Sequence, residues 1–223
     1  MDDLEKFSRR LHADWLDVYC QDDKRNYDPR GFNATSITVA DVDARDCMLA
    51  IDLGVVYDTG GGRYWACRSS TREVLFWEGH KTKSPRQITL WLEPVITFAA
   101  LARLHLVHGW PKDALGMQPR GAFDFAAFGP SADQPPWILG EVKKSSAKLD
   151  LLRDELLKLS NGLAIEAVSN NSAKKWRSLL TTRPKIVWLL GSNEKSYVYT
   201  PHYTSNGCAL QSVSSSVLAH SAA

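Results

Sequence analysis

The chain has 223 residues, of which 44% are hydrophobic and 23% are charged, and its formal net charge is +2. This composition is typical of a globular protein that is long enough to bury a sizeable core. A net charge so close to zero does not by itself indicate a nucleic-acid-binding protein, so any basic surface would have to be local.

The cysteines of the chain lie far apart and form no CxxC pair, which argues against a zinc site and against a disulfide scaffold. The N-terminal segment is charged and lacks the apolar stretch of a signal peptide. No apolar run approaches the roughly 18 residues that a membrane span needs. We therefore expect a cytoplasmic protein with reduced thiols and no membrane partner.

Residues 1–83 are predicted to contain a helix and then a β-rich extension. Apolar residues at helical spacing predict a helix over residues 3–20, namely Leu4, Phe7, Leu11, Trp15 and Val18. Residues 36–57 mix apolar and acidic positions, and we interpret part of them as a strand pair or a buried strand. The glycines of segment 58–62 predict a turn between two strands, and residues 72–77 predict a further strand.

A second helix is predicted to begin at Ser84. This residue can cap the helix, Pro85 suits the first helical position, and Gln87 completes a capping box. The helical pattern of apolar residues continues well beyond Gln87. Pro94 interrupts that pattern, so we expect either a kink or the start of another helix there. Glu93 lies just before the break, in an otherwise apolar stretch.

Strands and helices follow in an order that predicts a mixed sheet flanked by helices. Two strands are expected at residues 120–128 and 137–145, on either side of a turn. Amphipathic patterns predict helices at residues 147–163 and 170–181. The short apolar run at residues 185–190 is typical of a buried parallel strand.

These patterns place the chain in the α/β (α+β) fold class, with a central mixed sheet. We expect three parts: residues 1–83 as a helix with a β-rich extension, residues 84–200 as the core, and residues 201–223 as a peripheral tail.

Ionisable residues stand inside both of the predicted central strands. Asp124 lies in the first strand, and Glu141 and Lys143 lie in the second. Because side chains alternate along a strand, Glu141 and Lys143 project from the same face, about 6.6 Å apart. If the two strands pair, Asp124 approaches Glu141, and two neighbouring carboxylates favour a cation between them. Mg²⁺ would bind through their oxygens, and Lys143 would orient or deprotonate a water molecule or stabilise charge on a phosphate.

This arrangement resembles the PD-(D/E)xK nuclease superfamily, whose fold is that of the restriction endonucleases. The matching residues are Asp124 within AFDF and the Glu141-Val142-Lys143 triplet within WILGEVKKS. Phe123 stands where the superfamily motif has its proline. The resemblance covers roughly residues 84–190, and it implies an α-β-β-β-α-β core.

The resemblance implies a metal-dependent nuclease that hydrolyses phosphodiester bonds, with DNA as the expected substrate. Asp124 and Glu141 would hold Mg²⁺, for which Mn²⁺ would substitute, and Lys143 would act on the water molecule or the phosphate. Glu93, on the preceding helix, is the candidate third ligand. Lys144 and Lys148 are candidate contacts to the phosphate backbone.

Restriction, repair, recombination and defence against mobile DNA are roles compatible with such an enzyme, and paired cuts would favour a homodimer. Residues 1–83 are a candidate surface for a protein partner. Other lysines near the centre of the chain, including Lys174 and Lys175, are expected to be solvated surface charges or contacts to a phosphate backbone.

Two other interpretations stay open. The chain could have the same fold without activity and serve as a module that binds nucleic acid or a protein partner. Alternatively, it is an unrelated α+β protein in which the central hairpin is structural and Glu141 forms an ion pair on an edge strand. The nuclease hypothesis fails if the Asp124 and Glu141 carboxylates do not converge within reach of one ion. The second alternative predicts that Glu141 is paired only with a lysine or an arginine and faces no open cleft.

Overall fold

The structure, a computed structural model, describes residues 2–119, 122–131, 134–205 and 207–220. The described chain is a mixed α/β structure, with a six-stranded mixed sheet, two small two-stranded sheets and helices on both faces of the larger sheet. Within these ranges, no helix is both long enough and apolar enough to cross a membrane.

The predicted N-terminal helix is present as three consecutive segments. They are the α-helix α1 (Asp3–Arg10), a π-helical segment (Leu11–Leu16) and the α-helix α2 (Asp17–Cys20). Because a π turn holds more residues than an α turn, the buried face moves along the chain by one position. Val18, predicted to be buried, is therefore exposed, and Tyr19 is buried in its place.

The prediction of a strand within residues 36–57 is wrong, because most of this segment forms helix α3 (Asp41–Asp52). Asp43 and Asp46 lie on the buried face of this helix and interrupt the apolar pattern that would have indicated it. The predicted hairpin is present, as strands β1 (Tyr57–Asp58) and β2 (Tyr64–Trp65). Since these strands have only two residues each, the extension is not β-rich.

The prediction that a helix begins at Ser84 is also wrong. Strand β3 (Phe76–Glu78) pairs in antiparallel fashion with β4 (Ile88–Leu90), so the apolar residues after Gln87 enter a sheet. Helix α4 (Leu92–Leu106) begins after β4 has ended and has Trp91 as its N-cap. Pro94 lies in its first turn, where a backbone N–H has no helical acceptor, so proline needs no kink there.

The large sheet has the strand order β10-β9-β8-β7-β6-β5. β7 pairs with β8 in parallel, as predicted for the apolar run, and the other neighbours in this sheet are antiparallel. Both predicted helices after the central strands are present. The elements are β5 (Leu115–Met117), β6 (Phe125–Phe128), β7 (Pro136–Lys143), α5 (Ser146–Ser160), α6 (Asn170–Thr182), β8 (Ile186–Gly191), β9 (Ser196–Tyr203) and β10 (Cys208–Ser212).

The two faces of this sheet bury separate apolar clusters. On one face, residues such as Ile138 and Val142 of β7 pack with α4 and with the N-terminal helices in a core that extends from Phe7 to Leu218. On the other face, residues such as Leu139 pack against α5 and α6. The C-terminal segment was expected to be peripheral, but it supplies strand β10 and the buried residue Leu218. The carbonyl of Leu218 accepts a hydrogen bond from the Trp110 indole, which holds this segment against the core.

Gly140 allows β6 and β7 to approach each other beside the ionisable residues. A Cβ atom there would lie 2.0 Å from the ring of Phe125, its partner in the ladder. We expect Gly140→Ala to lower the free energy of unfolding by about 1–3 kcal/mol, because the ring must move within a packed core. Gly207→Ala, where a Cβ meets no atom within 4 Å, is the matched control. Equal melting temperatures for the two variants would contradict this account.

Candidate active site

Asp124 lies immediately before β6, where its backbone and side chain extend the pairing with β7. Its N–H donates to the carbonyl of Gly140 over 2.9 Å, and its carbonyl accepts from the N–H of Gln118 over 2.7 Å. Its Oδ2 accepts from the N–H of Val142 over 2.7 Å. The carboxylate therefore takes the place of a backbone acceptor just before the first residue of β6, which holds it against β7.

Glu141 and Lys143 project from the same face of β7, as their spacing predicts. Glu141 is 1% exposed, and its Oε1 accepts a hydrogen bond from the ammonium of Lys143. The same ammonium donates to the carbonyl of Val142 over 2.9 Å. β7 has β6 on one side and β8 on the other, so Glu141 does not lie on an edge strand and that part of the structural alternative is wrong.

Lys175 is the residue that sequence reasoning misplaced. Instead of being solvated, its side chain is buried, and its Nζ lies 2.6 Å from Oε2 of Glu141 and donates to the carbonyl of Ala122 over 2.6 Å. Oε2 is buried and receives no hydrogen bond of good geometry, so the contact with Lys175 is an ion pair without a well-directed hydrogen bond. No pattern within α6 indicates this burial, because it depends on the contact with Glu141 of β7.

The carboxylates of Asp124 and Glu141 are close enough to influence each other's charge. Asp124 keeps some exposure, but protein encloses most of its carboxylate. This burial, followed by repulsion from Glu141, raises the pKa of Asp124 well above its ordinary value, against the opposing effects of the Val142 N–H, Lys143 and Lys175. Raised pKa values of this kind are typical of carboxylates that share a site.

Lys143 is held in its protonated form. Burial of the ammonium acts to lower its pKa, but attraction to Glu141, their hydrogen bond and the charges of Asp124 and Glu93 outweigh burial and raise it. A lysine with a raised pKa does not accept a proton near neutral pH. Of the predicted roles for Lys143, the geometry therefore favours stabilising negative charge and orienting water over deprotonating it.

Glu93 lies in the first turn of α4, and it lines a cavity of 330 Å³ together with Lys143 and Lys148. Asp124 and Glu141 do not line this cavity. In the part of the chain that the structure describes, no three side chains of the His, Cys, Asp and Glu types are arranged to hold one metal ion. The structure thus brings two of the three predicted ligands together, and a ligand role for Glu93 stays a prediction.

The two carboxylates fit the requirements of Mg²⁺. This ion takes oxygen ligands and is usually bound by one or two carboxylates, with water and substrate phosphate completing its shell. The donors are Asp124 and Glu141, whose charges the ammonium groups of Lys143 and Lys175 balance in this structure. The buried Oε2 of Glu141 is held by the Lys175 ammonium 2.6 Å away, so a metal ion that took this oxygen as a ligand would displace that ammonium.

Comparison with known proteins gave no match: no family model, no curated protein and no solved structure is significantly similar to the chain. The function must therefore be argued from the site itself.

Proposed function

We propose that the protein is a Mg²⁺-dependent nuclease that hydrolyses phosphodiester bonds, with DNA as its substrate. The observation that carries this proposal is the convergence of Asp124 with Glu141 and Lys143 on neighbouring ends of β6 and β7. Burying two carboxylates and two ammonium groups together is costly without a function or a precise set of partners.

The order of elements around these residues supports the proposal. From α4, the chain passes through β5, β6 and β7 to α5 and, after α6, to β8, which lies parallel to β7. This is the α-β-β-β-α-β order that the resemblance to the PD-(D/E)xK superfamily implies, with α6 as an addition. Folds of this kind host several activities, so the order alone identifies none.

Each side chain of the site would have a separate role in hydrolysis. Asp124 and Glu141 would hold Mg²⁺, which supplies a Lewis acid and a more acidic bound water. Lys143, kept protonated, stabilises the negative charge that develops on the phosphate. Asp124 would serve as a ligand, and the metal-bound water, which is more acidic than bulk water, would lose its proton to bulk solvent. The water oxygen bonds to phosphorus as the bond to the leaving oxygen breaks.

Substrate contacts follow from the surface next to this site. Lys148 lines the same cavity as Lys143, and exposed Lys144 follows it in the chain, so both lie where a phosphate backbone would pass. We further propose that the enzyme acts in restriction, repair or defence in the cytoplasm. Where its cuts are paired, a homodimer would make them.

The Lys143→Ala variant tests the proposal. We expect it to cleave plasmid DNA in Mg²⁺ at least about 100-fold more slowly than the wild type, because a positioned charge at the phosphate is lost. Lys158→Ala removes an exposed lysine from the C-terminal end of α5 and is expected to cleave at the wild-type rate. Wild-type activity that persists in EDTA, or an active Lys143→Ala variant, would exclude the proposed mechanism.

One observation favours an inactive binding module as the second candidate. Lys143 and Lys175 already neutralise Glu141, and neither the Asp124 nor the Glu141 carboxylate lines the cavity beside Lys143. In that case, the protein would shift the mobility of DNA in a native gel and leave the DNA intact in Mg²⁺ and in Mn²⁺. Cleavage in either ion would eliminate this candidate.

A further inference from the structure

Two exposed tryptophans share the outer face of the small β3–β4 sheet. Trp77 is 54% exposed and pairs across the sheet with Thr89, while Trp91 is 38% exposed and follows Thr89 by two residues. Side chains two residues apart on an extended chain point to the same side, so all three lie on one face. The opposite face is apolar and buried, with Phe76 and Leu90 opposite each other.

These tryptophans line a groove of 460 Å³. Its other lining residues are three with hydroxyl groups, two leucines and one cation; they are Ser36, Thr38, Thr89, Leu90, Leu92 and Lys144. Large aromatic side chains are commonly exposed only singly, so two along one groove indicate a contact surface.

The groove adjoins the proposed active site at two points. Trp91 caps helix α4, whose first turn carries Glu93, and Lys144 directly follows Lys143 at the end of β7. A chain lying along the groove would thus pass Lys144 and reach the cavity that Glu93 and Lys143 line.

The chemistry of the groove matches an unpaired nucleic-acid strand. Indole rings stack on bases of any sequence, and a lysine beside them contacts the phosphate backbone. In a duplex, both faces of each base are covered by neighbouring bases, so only an unpaired strand can place its bases on Trp77 and Trp91.

We propose that this groove binds an unpaired strand of nucleic acid by stacking bases on Trp77 and Trp91, and that it delivers the strand to the site at Lys143. The inference rests on the proposed function for its second half and names the substrate class of that site. A single-stranded region, such as a flap, a gap or a free strand, is then the preferred substrate over an intact duplex.

Binding and cleavage can be measured separately. Anisotropy of a fluorescein-labelled single-stranded oligonucleotide, in EDTA to prevent hydrolysis, reports binding for the wild type, Trp77→Ala, Trp91→Ala and the double variant. We expect each single change to weaken binding about 10-fold, because stacking on one aromatic ring is lost, and the double change to weaken it about 100-fold. Binding to a duplex of the same length should change less than about 3-fold.

Tyr57→Ala is the matched control, because Tyr57 is an exposed aromatic residue of the separate β1–β2 sheet. It is expected to bind the strand as the wild type does. Trp77→Phe and Trp91→Phe keep an aromatic ring and should restore most of the affinity, which separates stacking from misfolding. Unchanged strand binding in the double alanine variant, or no binding of any strand by the wild type, overturns the inference.

The outcomes also distinguish this inference from the proposed function. Tryptophan-dependent strand binding without cleavage in Mg²⁺ would support the groove and refute the nuclease. Cleavage that is equally fast on strand and duplex, and unaffected by the tryptophan variants, would support the nuclease and refute the groove.

Discussion

The Asp124→Asn variant is expected to unfold at a higher temperature than the wild type and to lose activity. Burial and the neighbouring Glu141 raise the pKa of Asp124, so ionising this carboxyl in the folded protein is unfavourable. Asparagine keeps an oxygen that can accept from the N–H of Val142 but carries no charge. We expect the melting temperature at pH 7 to rise by roughly 2–4 °C, which is about 1 kcal/mol for a chain of this size.

The sign of the pH dependence follows from the raised pKa. The folded protein holds the Asp124 proton more tightly than the unfolded chain does, so the wild type loses stability as the pH rises from 3.8, the ordinary value, through the folded pKa. The loss is complete above the folded pKa. The advantage of the asparagine variant should therefore be largest near neutral pH and should shrink as the pH falls toward about 4.

Mg²⁺ should reverse this ranking, because it stabilises only a protein that binds it. At ten times its dissociation constant, the ion adds about 1.4 kcal/mol to the free energy of unfolding of the wild type. The Asp124→Asn variant should gain much less. Asp113→Asn, a change at an exposed aspartate, should behave as the wild type in both conditions. A melting temperature that falls on Asp124→Asn substitution would show that the carboxylate is structural.

The Arg103→Met variant is expected to have the largest effect on stability. The buried guanidinium of Arg103 on α4 lies 2.7 Å from Asp43 and 2.6 Å from Asp46, both buried on α3. Asp43 also accepts from Ser192 and from the N–H of Asn193, after β8. Without Arg103, buried Asp43 loses its cation and Asp46 keeps only the half-exposed Arg45, which costs about 3–5 kcal/mol. We expect the melting temperature to fall on the order of 10 °C.

Arg45→Met provides the matched control for this change. Arg45 also pairs with Asp46, but its side chain is 50% exposed, so the expected loss is below about 1 kcal/mol. Thermal unfolding followed by circular dichroism measures both variants. Equal stabilities would mean that the Arg103 cluster does not join α3 to α4. Two separate transitions in the wild type would mean that residues 1–83 and the sheet unfold independently.

The central hairpin was predictable because its pattern is local. The alternation of charge and apolar residues in β7 placed Glu141 and Lys143 on one face, and the structure places them so. Asp124 was predictable as their neighbour, although its contact with the Val142 N–H depends on its position just before the first residue of β6.

Other elements depended on contacts between distant residues. Helix α3 was missed because two acidic residues, Asp43 and Asp46, occupy its buried face. Their burial is possible because they pair with Arg103, which is distant in the chain. Strand β5 has only three residues, too few to show a period. The burial of Lys175 follows from Glu141 lying beneath α6, which no pattern within α6 itself could show.

The most direct test of the nuclease assignment is hydrolysis of a labelled pool of single-stranded and duplex DNA and RNA by the purified protein. We expect that the wild type cleaves at least one of these in Mg²⁺, that EDTA stops the reaction, and that Asp124→Asn stays at background while remaining folded. A wild-type protein that cleaves none of them in Mg²⁺ or Mn²⁺, or an Asp124→Asn variant as active as the wild type, would contradict the nuclease assignment.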